Sequence, residues 1–444
     1  LLIQRAALLD GGVVDVRVAD TITDVAPELS ARPGEDVLDA RGNLVLPGLH
    51  DHHVHVLATA AATDSVRVGP PQVRTRDQFA RVLREARVGD DGWVRAVAYH
   101  DSVAGPLDRA GLDALVSDRP VRVQHRSGGM WILNSLALQR IGLTDHADGR
   151  LFRTDDLAWP QRPPNLAALS ARLSALGVTG LTDATPDQTR DDIENLAAAR
   201  RSGQLRQRLH CLAPPGTADV EAVTLGPAKR ILDDPTLDLD ALTEWVRHCH
   251  SQDWAVAVHC VTDAQLVVAL AALRGAGIRD GDRIEHAAVV PDDLVPDLAE
   301  PGLTVVTQPN FVAERGDEYL TDIPADRHHE LWRVATLLDA GVAVALSTDA
   351  PFGDADPWAA MRSAVARASA SGAVLGAAER LSPRAALQGF LGQPDRPAHV
   401  RRVEVGAPGD LLVMSASTNT VLNELTAETV AVTIVGGEIV YERS

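Results

Sequence analysis

Lysine is nearly missing from this chain: Lys229, in "TLGPAKRILDD", is the only one, and every other member of the 42 basic side chains is arginine. Cysteine is scarce too. Cys211, Cys249 and Cys260 are too few and too scattered for a disulfide framework or a thiolate zinc site. Aromatic residues make up only 3% of the chain. No apolar run is long enough to span a bilayer, which excludes a membrane-spanning helix. Basic surplus is absent, and a net charge of −19 argues against nucleic acid, whose phosphates are bound by basic surface. No G-x-G-x-x-G follows the first strand of the central region, so the best mark of a dinucleotide fold is missing. The opening "LLIQRAALLDGGVVDVRVADT" has no basic n-region or cleavage site and alternates like strands. A cytoplasmic setting is therefore expected.

What is present reads as a globular enzyme-sized chain: 444 residues, 45% apolar and 23% charged. Both ends alternate as β-structure, with "VVDVRVAD" and "TITDVAP" near the start and "GDLLVMSAS" and "TVAVTIVGGEIVYE" near the end. The Gly436-Gly437 pair predicts a hairpin turn. Residues 1–46 and 403–444 are thus expected to form one small β-sandwich domain. Between them, residues 47–402 alternate apolar strands with amphipathic helices. The strands are "NLVLPGL", "GVTGLTDA", "QRLHCLA", "GPAKRIL", "WAVAVHC", "DRIEHAA", "GLTVVTQ" and "GVAVALSTD", and the helices include "TADVEAV", "TDAQLVVALAALRGAG" and "PDDLVPDLAE". Eight such units predict an α/β fold of (β/α)8 TIM-barrel type rather than an open doubly wound sheet. An insertion at about 57–170 is expected near the active-site mouth, because barrels bind substrates beyond the C-terminal ends of their strands.

The strongest local signal is "LPGLHDHHVHV". His53 and His55 stand two apart at a strand end, so both rings share a face and can share a metal. Asp51 and His52 are expected to face the other way, with His50 in a structural or supporting place. Three later strands end in His259, His286 and Asp349. Any one of these alone is a hydrogen-bonded histidine or a helix-capping aspartate. Four strand ends with ligand-type residues point instead to a metal centre, since such a buried set without an ion is hard to satisfy. Lys229 falls on the fourth strand. Burial and positive neighbours lower a lysine's pKa, and a neutral amine can add carbon dioxide to give an anionic carbamate. Arginine cannot follow that route. A surface lysine paired with Asp233 or Asp234 is the competing reading.

These pieces resemble the metal-dependent amidohydrolase superfamily, and more closely its amidohydrolase-3 branch, which includes YtcJ-like proteins and N-substituted formamide deformylases. The matching stretches include "LPGLHDHHVH", "GWVRAVAYHDSVAGPLD", "MWILNSLAL", "GPAKRILDD", "VHCVTDA", "DRIEHA" and "LSTDAPFGDADPWAAMRSAVAR". The resemblance implies a barrel with a β-sandwich. It implies that His53, His55 and Asp349 bind one metal, that His259 and His286 bind another, and that a carboxylated Lys229 bridges them. Some members work with a single metal, so the expected cofactors are one or two divalent ions, best suited by zinc, and a CO2-derived carbamate on Lys229.

The chain also departs from the family. It has "HRSGGMWILNS" where an aspartate-glycine-histidine is usual, leaving His125 and Trp131 as the candidates for substrate contact. It has Asp233-Asp234 after the lysine where aspartate-glycine is usual, and a short segment between Lys229 and His259. Trp93, Tyr99, Trp131 and Trp159 fall in the insertion, where they either line a pocket or pack that subdomain. The expected reaction is hydrolysis of an amide-type C–N bond in a small N-acyl or N-formyl amine or a cyclic amide. A metal-activated hydroxide would attack, and Asp349 would serve as general base and then acid. Ester or lactone hydrolysis and ring deamination are the alternatives on the same site, with a non-catalytic scaffold further behind. The expected partner is a small-molecule substrate, with no nucleic acid and no membrane, and self-association is compatible with the fold.

Overall fold

The computed structural model describes residues 1–152 and 164–443, organised as two compact units. The first unit comprises Leu1–Val56 and Leu166–Ser444, and the second Leu57–Asn165. No helix among the described residues is long and apolar enough to cross a membrane.

The first unit is built on nine short strands: β1 (Leu49–Val54), β2 (Val178–Asp183), β3 (Arg208–Leu212), β4 (Val223–Gly226), β5 (Ala228–Ile231), β6 (Val256–Cys260), β7 (Asp282–His286), β8 (Leu303–Thr307) and β9 (Ala343–Leu346). They pair in sequence order, always parallel, as β1-β2-β3-β4 and β5-β6-β7-β8-β9. Pro227, which has no N–H to donate, separates β4 from β5. Just beyond β9, the Asp349 N–H donates to the His53 carbonyl at 2.9 Å, so the last strand's exit meets the first strand. Every residue of β1, β2 and β7 is buried, as expected of parallel strands covered on both faces.

Helices return the chain between strands, and their ends follow from local chemistry. Asp263–Ala276 begins at a capping box in which Thr262 and Gln265 satisfy each other's backbone N–H groups. Its Leu266, Ala269, Leu270 and Leu273 recur at helical spacing and are buried. Leu239–Ser251 starts from Asp238, whose carboxylate accepts from the Ala241 N–H. Two expected helices come out differently. "TADVEAV" is irregular and runs into β4, because seven residues hold too few turns to offset helix nucleation. "PDDLVPDLAE" divides into a 3-10 turn at Asp292–Leu294 and a single helical turn at Val295–Leu298, with Pro296 early in that turn.

The two ends of the chain share one eight-stranded sheet. Leu2–Leu8 lies between Val13–Val18 and Leu44–Pro47, and Leu411–Met414 pairs with Leu44–Pro47 on the other side. Ile3, Val16, Val45, Leu411, Val432 and Ile434 form its core. Val430–Val435 and Glu438–Glu442 make the hairpin through Gly436 and Gly437, whose φ values of 58° and 78° need the left-handed region.

The second unit carries its own five-stranded sheet, ordered Arg150–Phe152, Met130–Leu133, Val121–His125, Val94–Tyr99, Val66–Arg67. Phe79, Leu83, Tyr99, Val121 and Ile132 are among its core residues.

Candidate metal centre

The end of β1 is irregular in a way that serves the site. Leu181 of β2 pairs with Asp51, yet Asp183 pairs with Val54, so β1 holds one extra residue there. Such a bulge re-aims side chains. Asp51 accepts hydrogen bonds from the Thr348 N–H at 3.1 Å, the Thr348 hydroxyl at 2.5 Å and the His53 N–H at 3.3 Å. It therefore ties β1 to the segment that carries Asp349. Burial raises the Asp51 carboxyl to about 7, and those same hydrogen bonds oppose the rise. His50 shares a 2.9 Å hydrogen bond with the Thr182 hydroxyl.

His53, His55 and Asp349 converge. Their ligand-type atoms all lie within 4.8 Å of one another, and all three residues are buried. Asp349 Oδ1 sits 3.3 Å from His55 Nε2 and 3.7 Å from His53 Nε2. That oxygen is buried and has no well-directed hydrogen bond among the described residues. Burial alone would raise the Asp349 carboxyl, but its contact with His55 and the nearby His53 and His286 outweigh it and hold the group below the usual carboxylate range. Asp349 and His286 adopt φ values of 54° and 73°, left-handed backbone that an ordinary strand exit would not select.

The other expected residues close on the same place. Lys229 Nζ lies 3.0 Å from His53 Nε2 and donates to the Ala184 carbonyl at 2.6 Å. Burial lowers this ammonium to about 8, against the pull of Glu285 and Asp349. Asp234 is engaged by Thr262 and Gln265 instead. The His286 ring centre is 4.8 Å from that of His53 and 4.5 Å from that of His259. Burial depresses the basicity of His53, His259 and His286, so these imidazoles are neutral and offer lone pairs.

Two orienting groups escape a reading of the sequence. His53 Nδ1 hydrogen-bonds Glu285, and His286 Nδ1 bonds the Gln308 carbonyl oxygen at 2.8 Å. Gln308 donates its amide to Ser347 at 2.9 Å, which fixes the oxygen toward His286. Both Nδ1 atoms are thereby donors, and both Nε2 atoms are left as acceptors. The centre thus gathers ligand-type atoms of His53, His55 and Asp349, with the His286 ring beside that of His53 and Lys229 Nζ as the nearby hydrogen-bond donor. That oxygen-and-imidazole set fits a divalent cation.

The candidates for substrate contact lie in the second unit. His125 Nδ1 is 2.8 Å from the Ser127 hydroxyl, and its ring centre is 5.9 Å from that of His100. Trp131 is half-buried under Arg95 and Arg122, whose guanidinium carbons stand 5.2 and 5.3 Å from its ring centre. Trp93 and Tyr99 are buried in their unit's own clusters, so they pack that subdomain rather than line a pocket. Trp159 lies outside the described residues.

The chain matches the amidohydrolase family over residues 36–441, most of its length, and belongs to it. It is accordingly an enzyme of the amidohydrolase class. Among its relatives, an N-substituted formamide deformylase of Arthrobacter pascens is 26% identical, covering 99% of this chain and 95% of that one. YtcJ of Bacillus subtilis (strain 168) is 22% identical over 93% and 92% of the two chains. An uncharacterized metal-dependent hydrolase of Pyrococcus horikoshii has a similar structure, with a TM-score of 0.73 at 18% identity over 92% of this chain and 95% of that one. N-Isopropylammelide isopropylaminohydrolase of Burkholderia multivorans matches at a TM-score of 0.56 and 16% identity over 99% and 98%. At those identities the structural likeness is one of fold.

Proposed function

We propose that the protein hydrolyses the C–N bond of a small N-acyl or N-formyl amine at a metal centre held by His53, His55, Lys229, His259, His286 and Asp349. The observation that carries this is the convergence of buried acceptors at His53, His55 and Asp349, with the chain's only lysine 3.0 Å from His53. The architecture behind it is a closed (β/α)8 barrel formed by 47–402 apart from the inserted segment, with the β-sandwich from 1–46 and 403–444. Sequential parallel pairing and the bond from Asp349 to His53 support that closure.

Zinc suits the donor set, at one or two positions, and when bound a divalent ion supplies a hydroxide nucleophile at neutral pH and polarises a carbonyl. The chain's own residues do the rest. Lys229, as its carbamate, would offer two oxygens sharing one negative charge in place of an ammonium that repels cations. Asp349, ionised throughout the neutral range, accepts the proton of the attacking water and returns it to the departing nitrogen. Asp51 and Thr348 hold the backbone that aims Asp349. The similarity to a formamide deformylase favours a small acyl group on nitrogen as the substrate class.

The test is a panel of N-formyl and N-acyl amines, cyclic amides, esters, lactones and aminated heterocycles, assayed with zinc-loaded protein. Turnover greatest on the N-acyl or N-formyl amines is expected. Turnover confined to esters, or to ring deamination, would refute the substrate class, and less than stoichiometric zinc after loading with bicarbonate would refute the metal centre.

A further inference from the structure

Glu285, which meets the His53 ring, has a partner of its own. It stands immediately before His286 at the end of β7, fully buried, and its two oxygens are divided between two partners. One accepts from His53 Nδ1, and the other accepts from Arg283 Nε at 2.7 Å. Arg283 is two residues earlier, on the same face of the strand, and 2% exposed. Its Nη2 donates to the His52 carbonyl at 2.9 Å. An i, i+2 pair on β7 therefore grips two successive residues of β1: the backbone of His52 and the ring of His53.

We infer that Glu285, braced by Arg283, is a positioning residue that selects the tautomer of His53 and aims its Nε2 lone pair into the metal centre. Its consequence for metal binding rests on the function proposed above. A neutral imidazole carries one proton, and an ionised carboxylate only accepts. The proton must then sit on Nδ1, leaving Nε2 free to face Lys229 Nζ and Asp349 Oδ1. In the other tautomer Nε2 would carry the proton, and one ligand atom would be lost. His286 receives the same service from Gln308, but from a neutral amide. The charged partner makes His53 the stronger donor of the two.

Arg283 makes the role testable, because a glutamine at 285 meets conflicting demands. Its single oxygen can serve the cationic Arg283 or the neutral His53, and a charge-assisted hydrogen bond is roughly twice as strong as a neutral one. In Glu285→Gln the oxygen turns to Arg283, the amide NH2 faces His53 Nδ1, and the ring proton moves to Nε2. In Glu285→Gln with Arg283→Met the oxygen is released to His53, and the Nδ1–H form returns.

The experiment reads imidazole 15N shifts in metal-free protein, with the His53 signal assigned by its loss in His53→Ala, alongside zinc affinity by chelator competition. Wild type is expected as Nδ1–H, the single variant as Nε2–H with about 10–100-fold weaker zinc binding, and the double variant as Nδ1–H with part of the affinity regained. A single variant that keeps Nδ1–H and wild-type affinity overturns the inference. If the single variant does not fold, the double variant decides alone: Nδ1–H with weakened zinc binding supports the role, and unchanged affinity overturns it. A wild type in the Nε2–H form refutes the tautomer assignment itself. A wild type that is Nδ1–H but binds no zinc refutes the metal centre and leaves the positioning role of Glu285 standing.

Discussion

Exchanging Lys229 for arginine is the sharpest perturbation, since every other basic position in this chain already uses arginine. Carbamate formation needs the neutral amine: the nitrogen lone pair adds to the carbon of CO2 and the nitrogen then gives up a proton. With the ammonium lowered from 10.5 to about 8, about 10% of the amine is neutral at pH 7, against about 0.03% for an ordinary lysine. Burial therefore raises the reactive fraction about 300-fold. Metal-free protein exposed to 13CO2 at fixed dissolved CO2 should gain a carbamate 13C signal. The rate of gain should climb about tenfold from pH 6 to pH 7, reach half its ceiling near pH 8 and level off by about pH 9. Zinc-dependent activity, measured on matched samples, should follow the same curve. The arginine variant should show neither signal nor activity at any pH, while Lys229→Ala should regain part of its turnover with a short carboxylic acid. A rate indifferent to pH between 6 and 8, or one still climbing beyond pH 9.5, would refute the argument from burial. Full activity in the arginine variant would return Lys229 to an ordinary ion-pairing role.

The remaining expectations concern acid–base chemistry, linkage and packing. Asp349→Asn should lower kcat by about 10²–10⁴-fold, the range for losing a general acid–base group; near-normal turnover with zinc still bound would remove Asp349 from that role. In metal-free protein the folded-state pKa of Lys229, about 8, lies below its unfolded value of 10.5. The unfolded chain then binds more protons between those values, so this group's contribution to stability rises with pH through that window. Lys229→Met should accordingly gain most over wild type below pH 8, by at most about 3 kcal/mol, and the gain should fade by pH 10.5. Urea titrations at pH 7 and pH 10 would check the sign. Gly180→Ala would place a Cβ 2.3 Å from His50 Nδ1, so a loss of about 1–3 kcal/mol is expected. Adding His50→Ala should relieve most of that loss, and independent, additive effects would refute the packing account.

How legible the site was depends on where each residue's partner lies. His53, His55, His259, His286 and Asp349 could be picked out because each ends an apolar strand, and strand ends are set by local pattern. The terminal hairpin was equally local, since two consecutive glycines supply the φ values its turn requires. Length was a poor guide where the pattern was short: "TADVEAV" has helical spacing for barely two turns, and pairing of Val223–Gly226 with β3 prevails. The extra residue in β1 was also unreadable, because nothing in "HDHHVH" announces where the pairing with β2 shifts.

Glu285 was invisible for a different reason. Its partner His53 lies 232 residues away, and such a pairing exists only once the strands are arranged. A weaker sign was nonetheless present in "DRIEHAA", where Arg283 and Glu285 occupy alternate positions of a strand that must be buried. Two charges on one inward face are costly unless each is matched. The match has to be sought among residues that gain from a fixed charge, and a neutral imidazole whose ring proton must be held at one nitrogen is such a residue. An apolar strand that ends in a ligand-type histidine and carries charge on its inward face therefore points to a neighbouring strand's ligand, even when the sequence does not say which one.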